Sequence, residues 1–205
     1  MVEYFNIINN YKLAVIFFAL QIPCIIYGYI NSRKIKIKNI YIKSDLINKG
    51  IKFVFISDVH IGSNHSSYLK KIVSEIIKLD PTFLIIGGDL IDSSSFKIDD
   101  LKELKKLKKP VYFVTGNHEY YIQNSQKHLD DLHTVGIHTL NNESLQIHGL
   151  NLIGISDNIT NNLKINYFDK LFQKELFNIL VVHKPSIWKN VSTKANLMLS
   201  GHTHN

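Results

Sequence analysis

The sequence predicts an α/β fold, because short apolar runs of strand character alternate with segments whose apolar residues recur at helical spacing. A second observation is that motifs bearing His or Asp follow most of these runs directly. The runs are Phe53 to Ile56, Phe83 to Ile86, Val111 to Val114, Ile179 to Val182 and Leu197 to Leu199. Polar groups at the carboxyl ends of successive strands meet at one edge of a sheet, so the sequence predicts a functional site along that edge.

Length, composition and charge are those of a folded domain with a short extension. The chain has 205 residues, of which 45% are hydrophobic and 20% are charged. The net charge of +7 would suit an anionic partner, but the lysines are scattered, and we expect no nucleic-acid binding. A single cysteine, Cys24, excludes a disulfide framework and a cysteine-ligated zinc site. Because Arg33 is the only arginine, phosphate must be held by lysine, histidine, backbone N–H groups or metal ions.

The segment Leu13 to Ile30 is apolar and long enough to cross a membrane as a helix. A cleaved signal peptide is the main alternative, but Glu3 precedes the segment and no small-residue cleavage site follows it. A buried core helix is disfavoured as well, because no polar stripe runs along the segment. We therefore expect a single-pass membrane anchor over residues 1–34 and a catalytic domain over residues 35–205.

Basic residues lie mainly after this apolar segment. Only Lys12 lies directly before it, whereas Arg33, Lys34, Lys36, Lys38 and Lys43 follow it. By the positive-inside rule, the catalytic domain is expected on the cytoplasmic side of the cell (inner) membrane. The alternating segment Ile35 to Lys38 is expected to begin a strand or to lie near anionic lipid head groups.

From Ile51 onward, strand and helix patterns follow one another without an internal repeat. The first half is expected to contain strands at Ile51 to Ser57, Phe83 to Gly87 and Val111 to Val114, with helices at Tyr68 to Leu79 and Ile98 to Lys109. The second half is expected to contain a helix at Gln126 to Val135, strands at Ile137 to Leu140, Leu145 to Ile147, Leu150 to Ile155, Asn178 to Val182 and Ala195 to Ser200, and a helix near Ile187.

Two pairs of residues have the spacing expected of metal ligands. Asp58 and His60 lie two residues apart at a strand end, so both side chains point the same way. His202 and His204 share this spacing. Nitrogen and oxygen ligands without thiolate suit Mn²⁺, Fe, Zn²⁺ or Mg²⁺, and Mn²⁺ is the ion that we expect.

The motifs between these pairs supply the remaining groups of a two-metal phosphoesterase site. Asp89 offers a carboxylate that can bridge two cations, and Asn117 offers a neutral amide oxygen. Two cations roughly 3.5–4 Å apart can hold a hydroxide between them and polarise a phosphoryl group. His118 would then protonate the leaving oxygen, and Asp92 would hold and charge-stabilise the imidazole of His118.

Any single histidine is more often a structural residue than a metal ligand. We expect this of the five histidines outside the motifs, His65, His128, His133, His138 and His148. Taken alone, Glu119 could likewise be a residue that caps a helix N-terminus. The ordered arrangement of all the motifs after strands is what favours a site.

Five motifs in this order resemble the calcineurin-like metallophosphoesterase family, from about residue 50 to the C-terminus. They are Asp58-x-His60, Gly88-Asp89, Gly116-Asn117-His118-Glu119, His183 and Gly201-His202-x-His204. The resemblance implies two divalent metal ions that share Asp89, one held by Asp58, His60 and His204 and the other by Asn117, His183 and His202.

The fold that the resemblance implies is a four-layer α/β/β/α sandwich of two mixed sheets, here preceded by one transmembrane helix. The chain looks most like the bacterial membrane-anchored branch of the family, which includes proteins similar to UDP-diacylglucosamine pyrophosphohydrolases of lipid A synthesis. The implied reaction is hydrolysis of a phosphoester or pyrophosphate bond by metal-activated hydroxide, with a lipid-linked nucleotide such as UDP-diacylglucosamine as substrate. A soluble nucleotide phosphodiesterase and an inactive metal-binding remnant are the alternatives. Because family members usually continue past the last metal-binding histidine, we expect a domain truncated after His204.

Overall fold

The computed structural model describes the backbone of residues 2–160 and 165–204 and the side chains of residues 10–158 and 168–204. The chain divides into two compact units, Met1–Ile40 and Tyr41–Asn205. The first unit carries the apolar N-terminal segment, and the second carries all of the motifs.

The N-terminal unit consists of one long helix, α1 (Val2–Ser32), followed by an extended segment. The apolar stretch Asn10–Ser32 has a mean hydropathy of 2.1 and no buried residues, so by length and composition it could cross a membrane. The strand expected to begin at Ile35 to Lys38 is wrong, because these residues belong to no strand. Alternation of side chains supplies one face of a strand, but pairing needs a neighbouring strand.

The first sheet holds the first four strands of the second unit, in the order β1-β2-β3-β4, and all of its pairs are parallel. These strands are β1 (Phe53–Ile56), β2 (Phe83–Gly87), β3 (Val111–Val114) and β4 (Ile137–Thr139). Parallel neighbours need long crossovers, which are supplied by helices and by a 3₁₀ helix. The chief crossovers are α2 (Ser66–Leu79) between β1 and β2 and the 3₁₀ helix Ile98–Leu107 between β2 and β3. Parallel pairing puts the carboxyl ends of these strands at one edge.

The second sheet holds the last four strands, in the order β5-β6-β7-β8. These strands are β5 (Glu143–Ile147), β6 (Leu150–Ile155), β7 (Phe177–Val182) and β8 (Leu197–Leu199). β5 and β6 form an antiparallel hairpin, whereas β6, β7 and β8 pair in parallel. The expected two-sheet α/β architecture is confirmed, and only the second of its sheets is mixed.

A hydrophobic core lies between the two sheets. It is built from alternate residues of facing strands, which include Phe83 and Ile85 of β2 and Leu152, Ile179 and Val181 of the second sheet. The intervening residues of the second sheet pack in a separate cluster with the helical segments that follow β6 and β7, which closes the outer layer. The central strands β2, β6 and β7 are buried along their whole length, which explains why they are nearly continuous apolar runs rather than alternating ones.

Short helices complete the unit. They are α3 (His118–Tyr121), α4 (Ser125–Asp131), α5 (Asp157–Thr160) and α6 (Trp188–Val191), with further 3₁₀ turns at Leu132–Val135, Ile165–Leu171 and Pro185–Ile187. The helix expected from Ile98 to Lys109 is a 3₁₀ helix. Its buried leucines, Leu101, Leu104 and Leu107, recur every three residues, which is the period that a 3₁₀ helix places on a single face.

Gly154 of β6 lies directly against the chain that follows β4. A Cβ at this position would collide with the backbone carbonyl and the side chain of Leu140, the residue after β4. The amide N–H of Leu140 in turn donates to Phe113 O of β3, at 2.7 Å, so this backbone is not free to move aside. The space between the sheets at this point fits only glycine.

We expect Gly154→Ala to lower the free energy of unfolding by about 2–3 kcal/mol, because overpacking against a fixed backbone carbonyl cannot relax. The measurement is thermal unfolding of the full chain in detergent, followed by the fluorescence of Trp188, the single tryptophan. Gly50→Ala is the matched control, because a Cβ at Gly50 would meet no atom within 4 Å. Equal melting temperatures for the two variants would contradict the close contact between the sheets.

Candidate metal centre

The predicted metal ligands lie at the carboxyl ends of five strands. Asp58 and His60 follow β1, Asp89 follows β2, and Asn117 follows β3. His183 follows β7 in the second sheet, and the pair His202 and His204 follows β8. The structure brings six of these side chains together in two groups whose ligand atoms lie within 4.8 Å of one another, Asp58 with His60 and His204, and Asp89 with His183 and His202. Both groups lie within the ligand sets that the resemblance implies, and their binding of metal ions stays a prediction.

Asp89 lies between the two groups and is buried, with 2% of its surface exposed. Its Oδ1 accepts the backbone N–H of His118 at 2.9 Å. Its Oδ2 lies 3.0 Å from Nε2 of His183 and 3.9 Å from Nε2 of His60. One carboxylate therefore faces ring nitrogens that are supplied by both sheets.

His183 presents a lone pair to this carboxylate. Its Nδ1 lies 2.9 Å from the carbonyl oxygen of Gly87, and because a carbonyl only accepts, Nδ1 must carry the proton. In the neutral ring, Nε2 is then an acceptor that points at an acceptor. Burial lowers the pKa of His183, but the Asp89 carboxylate and the Gly87 carbonyl raise it by more, so that the pKa lies above its ordinary value. The environment thus favours a positive charge between Nε2 and Asp89.

His60 lies on the other side of Asp89, beside a second carboxylate. Its Nδ1 lies 3.3 Å from Oδ2 of Asp92, which leaves Nε2 to face Asp89. Burial lowers the pKa of His60 below its ordinary value, against the opposing effect of the Asp89 and Asp92 carboxylates. A neutral imidazole with a fixed tautomer is the form in which histidine binds a metal ion.

Four buried side-chain atoms in the described part of the chain have no hydrogen-bond partner. Three of them belong to predicted ligands, and these are Nε2 of His60, Oδ1 of Asn117 and Nε2 of His183. Buried acceptors without donors are costly, at about 1–3 kcal/mol each, and are rare unless a ligand satisfies them. Oxygen and imidazole donors without thiolate suit divalent ions such as Mn²⁺, Fe²⁺, Zn²⁺ and Mg²⁺. The residues present therefore fit a pair of divalent cations.

His118 lies on the open side of the centre. Its side chain is 40% exposed, and its Nε2 lies 4.0 Å from Oδ2 of Asp89. Its ring stands edge-to-face against His60, with centroids 4.7 Å apart. Together with His60 and Asp89 it forms a third group of ligand atoms within 4.8 Å, so it is close enough to act on a group bound there.

The backbone at the centre is held in the left-handed region that side chains rarely adopt. Five of the predicted ligands have positive φ angles, namely Asp58 (56°), His60 (51°), Asp89 (51°), His202 (71°) and His204 (49°). Gly88, with φ of 93°, also approaches His183 so closely that a side chain there would collide with the imidazole ring. The chain turns sharply after each strand, and these turns aim the ligand side chains at one point.

Glu119 is the residue of the centre to which the sequence motifs assign no role. It is buried, with 1% of its surface exposed, and its carboxylate accepts three backbone N–H groups. These belong to Asp89 (3.1 Å), Ile91 (2.9 Å) and Gly116 (2.7 Å). Glu119 thereby joins the loop after β2 to the loop after β3. Burial raises its pKa to about 7, against the opposing effect of these hydrogen bonds.

Asp92 lies beside a different histidine from the one expected. The sequence suggested His118 as its partner, whereas the structure gives Asp92 contacts with Nδ1 of His60 and with the backbone N–H of Ser63, at 2.8 Å. The histidines expected to be structural make local contacts outside the centre, such as the N-cap of α2 by His65 and the stacking of His148 on Phe83.

Comparison with known proteins agrees with this geometry. The family model for the calcineurin-like phosphoesterases (Metallophos) matches residues 51–205. An uncharacterized metallophosphoesterase of Helicobacter pylori is 33% identical over 181 residues, which cover 82% of this chain and 48% of the relative.

Two further relatives extend the comparison. A Danio rerio protein named as a transmembrane protein with a metallophosphoesterase domain is 28% identical over 221 residues, which cover 96% of this chain and 51% of the relative. An uncharacterized metallophosphoesterase of Aquifex aeolicus is 29% identical over 191 residues, with 87% of this chain and 73% of the relative covered. The chain thus spans about half the length of the Helicobacter pylori and Danio rerio relatives. Since the family model covers the whole motif-bearing part of the sequence, the chain belongs to the calcineurin-like phosphoesterase family.

Proposed function

We propose that the chain is a dinuclear metal-dependent phosphoesterase that hydrolyses a phosphoester or pyrophosphate bond. The observation that carries the proposal is the cluster of buried acceptors around Asp89 that have no donor. In this proposal the two cations share Asp89 and have separate further ligands. One would be held by Asp58, His60 and His204, and the other by Asn117, His183 and His202.

The protein groups around the proposed ions have distinct roles. When bound, the two divalent ions, of which we favour Mn²⁺, would stabilise charge on the phosphoryl oxygens and provide hydroxide near neutral pH. His118, half-exposed at the open side, would donate a proton from its imidazole to the leaving oxygen. Asp92 would act as a positioning residue, because its contact with Nδ1 of His60 keeps Nε2 free for the metal.

We expect the full chain in detergent to hydrolyse bis-p-nitrophenyl phosphate when Mn²⁺ is added, and Asp89→Asn to reduce the rate more than about 100-fold. Mutation of a residue that only hydrogen-bonds to a metal ligand typically lowers metal affinity or activity 10–100-fold. Loss of a carboxylate ligand that both ions share should lower activity further. Asp99→Asn, which removes an exposed carboxylate, is the matched control and should retain the rate. The measurement is the steady-state rate together with the amount of metal bound per chain.

The outcomes separate an enzyme from an inactive remnant. Two metal ions per chain with turnover support the proposal. Two metal ions per chain without turnover by the wild-type protein would favour a metal-binding remnant instead. Equal rates for wild type and Asp89→Asn would mean that the activity does not come from this centre.

Glu119→Gln tests the connection between the two loops. The amide keeps the size of the side chain but has one acceptor oxygen, so at least one of the three backbone N–H groups loses its acceptor and meets an NH₂ group in its place. We expect unfolding free energy to fall by about 1–3 kcal/mol. Because Asp89 moves with its loop, Mn²⁺ affinity should fall by about 10–100-fold. Titration with Mn²⁺ at a temperature where the variant is folded measures the second effect, and an unchanged affinity would contradict the assigned role.

We further propose that α1 anchors the enzyme in the cell membrane, with the hydrolase domain on the cytoplasmic side. The support is the apolar stretch Asn10–Ser32 and the exposed basic residues that follow it, among them Arg33, Lys34, Lys36 and Lys38. The relative named as a transmembrane protein agrees with an anchor. An anchored hydrolase acts at the bilayer surface, so we propose a lipid-linked nucleotide such as UDP-diacylglucosamine, an intermediate of lipid A synthesis, as substrate.

Membrane vesicles of both orientations test the anchor and the substrate together. We expect inverted vesicles, and not right-side-out vesicles, to hydrolyse bis-p-nitrophenyl phosphate supplied from outside, because only the former expose the cytoplasmic face. UDP-diacylglucosamine dispersed in detergent should compete with this substrate at lower concentration than UDP-N-acetylglucosamine does. Equal competition would favour the alternative, a phosphodiesterase for soluble nucleotides, and activity in right-side-out vesicles would reverse the proposed orientation.

A further inference from the structure

Tyr121 is a large aromatic side chain that stands exposed beside the metal centre. Its side chain is 73% exposed, although apolar rings are usually buried or covered. The ring lies against that of His118, with centroids 5.6 Å apart and planes inclined at 56°. Since His118 in turn contacts His60 and approaches Asp89, the tyrosine extends the outer wall of the centre toward solvent.

The backbone on both sides of Tyr121 is held in place by contacts of the neighbouring residues. On one side, Glu119 is tied to three amides, and the hydroxyl of Tyr120 lies 2.8 Å from Thr115 Oγ1. On the other side, Ile122 is 8% exposed, and the N–H of Gln123 donates to Ser94 Oγ at 3.0 Å. The residues on both sides of Tyr121 are therefore bound to the interior of the domain, and Tyr121 is left on its surface.

His118 and Tyr121 lie three residues apart in α3, which places them on the same helical face. Glu119 of the same helix and Ile122, which follows it, are buried instead. The outward pair is thus carried by a backbone that is held on both sides, so only side-chain torsions need ordering when a ligand binds.

The exposed aromatic ring of Tyr121, on a backbone that is held in place, favours a flat, polarisable group as its partner. Because His118 is the proposed proton donor to the leaving oxygen, the group that reaches Tyr121 is the one attached to that oxygen. We propose that Tyr121 is a specificity-determining residue that stacks on a planar aromatic ring of the leaving group, such as a nucleobase. This inference rests on the proposed phosphoesterase function and names a substrate class for it.

Two small phosphonates test this role without turnover. Phenylphosphonate offers an aromatic ring, and methylphosphonate offers the same anion without one. Binding of each to the Mn²⁺-loaded full chain in detergent is measured by calorimetry. We expect phenylphosphonate to bind more tightly to the wild type, and Tyr121→Ala to reduce that preference by about tenfold, the scale of one lost stacking contact. Methylphosphonate should bind equally to both proteins.

Tyr121→Phe keeps the aromatic face and should retain the preference, whereas Tyr41→Ala, at a 90% exposed tyrosine, serves as a control for removal of a surface ring. A phenylphosphonate preference that is the same in wild type and Tyr121→Ala would overturn the inference. Failure of the proposed function would look different, because the wild-type protein would then bind neither phosphonate in a metal-dependent way.

Discussion

The centre depends on one juxtaposition, in which two imidazole nitrogens without a hydrogen-bond partner face a buried carboxylate. Nε2 of His183 and Nε2 of His60 lie toward Oδ2 of Asp89, and each ring has an oxygen near its Nδ1, the Gly87 carbonyl for His183 and the Asp92 carboxylate for His60. A cation between these groups would satisfy the carboxylate and the lone pairs of both neutral rings at once. The rest of the fold can be understood as the framework that brings these groups together.

That framework joins the two sheets by backbone as well as by packing. The carbonyl of Gly87, at the end of the first sheet, fixes the ring of His183 from the second sheet. The backbone N–H of His202 donates to the carboxylate of Asp58 across the same gap. Each sheet thus supplies both a ligand and an orienting group for the other. A metal pair bound here would therefore hold together the two halves of the domain, which otherwise meet through the apolar core.

The sequence predicted where the ligand side chains lie in the fold because each motif follows a strand directly. Buried parallel strands such as β2 are continuous apolar runs, and their carboxyl ends define where Asp89 and its partners lie. The partner of Asp92 was not predictable in this way. His60 and His118 lie beside Asp89 in the structure, and only the direction of the turn after β1 decides which ring meets Asp92. Glu119 shows the same limit, since its role depends on amides from two loops that are distant in sequence.

The left-handed turns at the predicted ligands have an energetic cost that is concentrated at the metal centre. Residues with a side chain cost about 1–2 kcal/mol more than glycine in that conformation, although Asp and His are better tolerated than most. Asp58, His60, Asp89, His202 and His204 therefore place their side chains at a cost in backbone energy. Glycine would avoid this cost but would supply no ligand. The stability of the domain is reduced where its predicted ligands lie, so cations bound there would return part of that stability to the folded state.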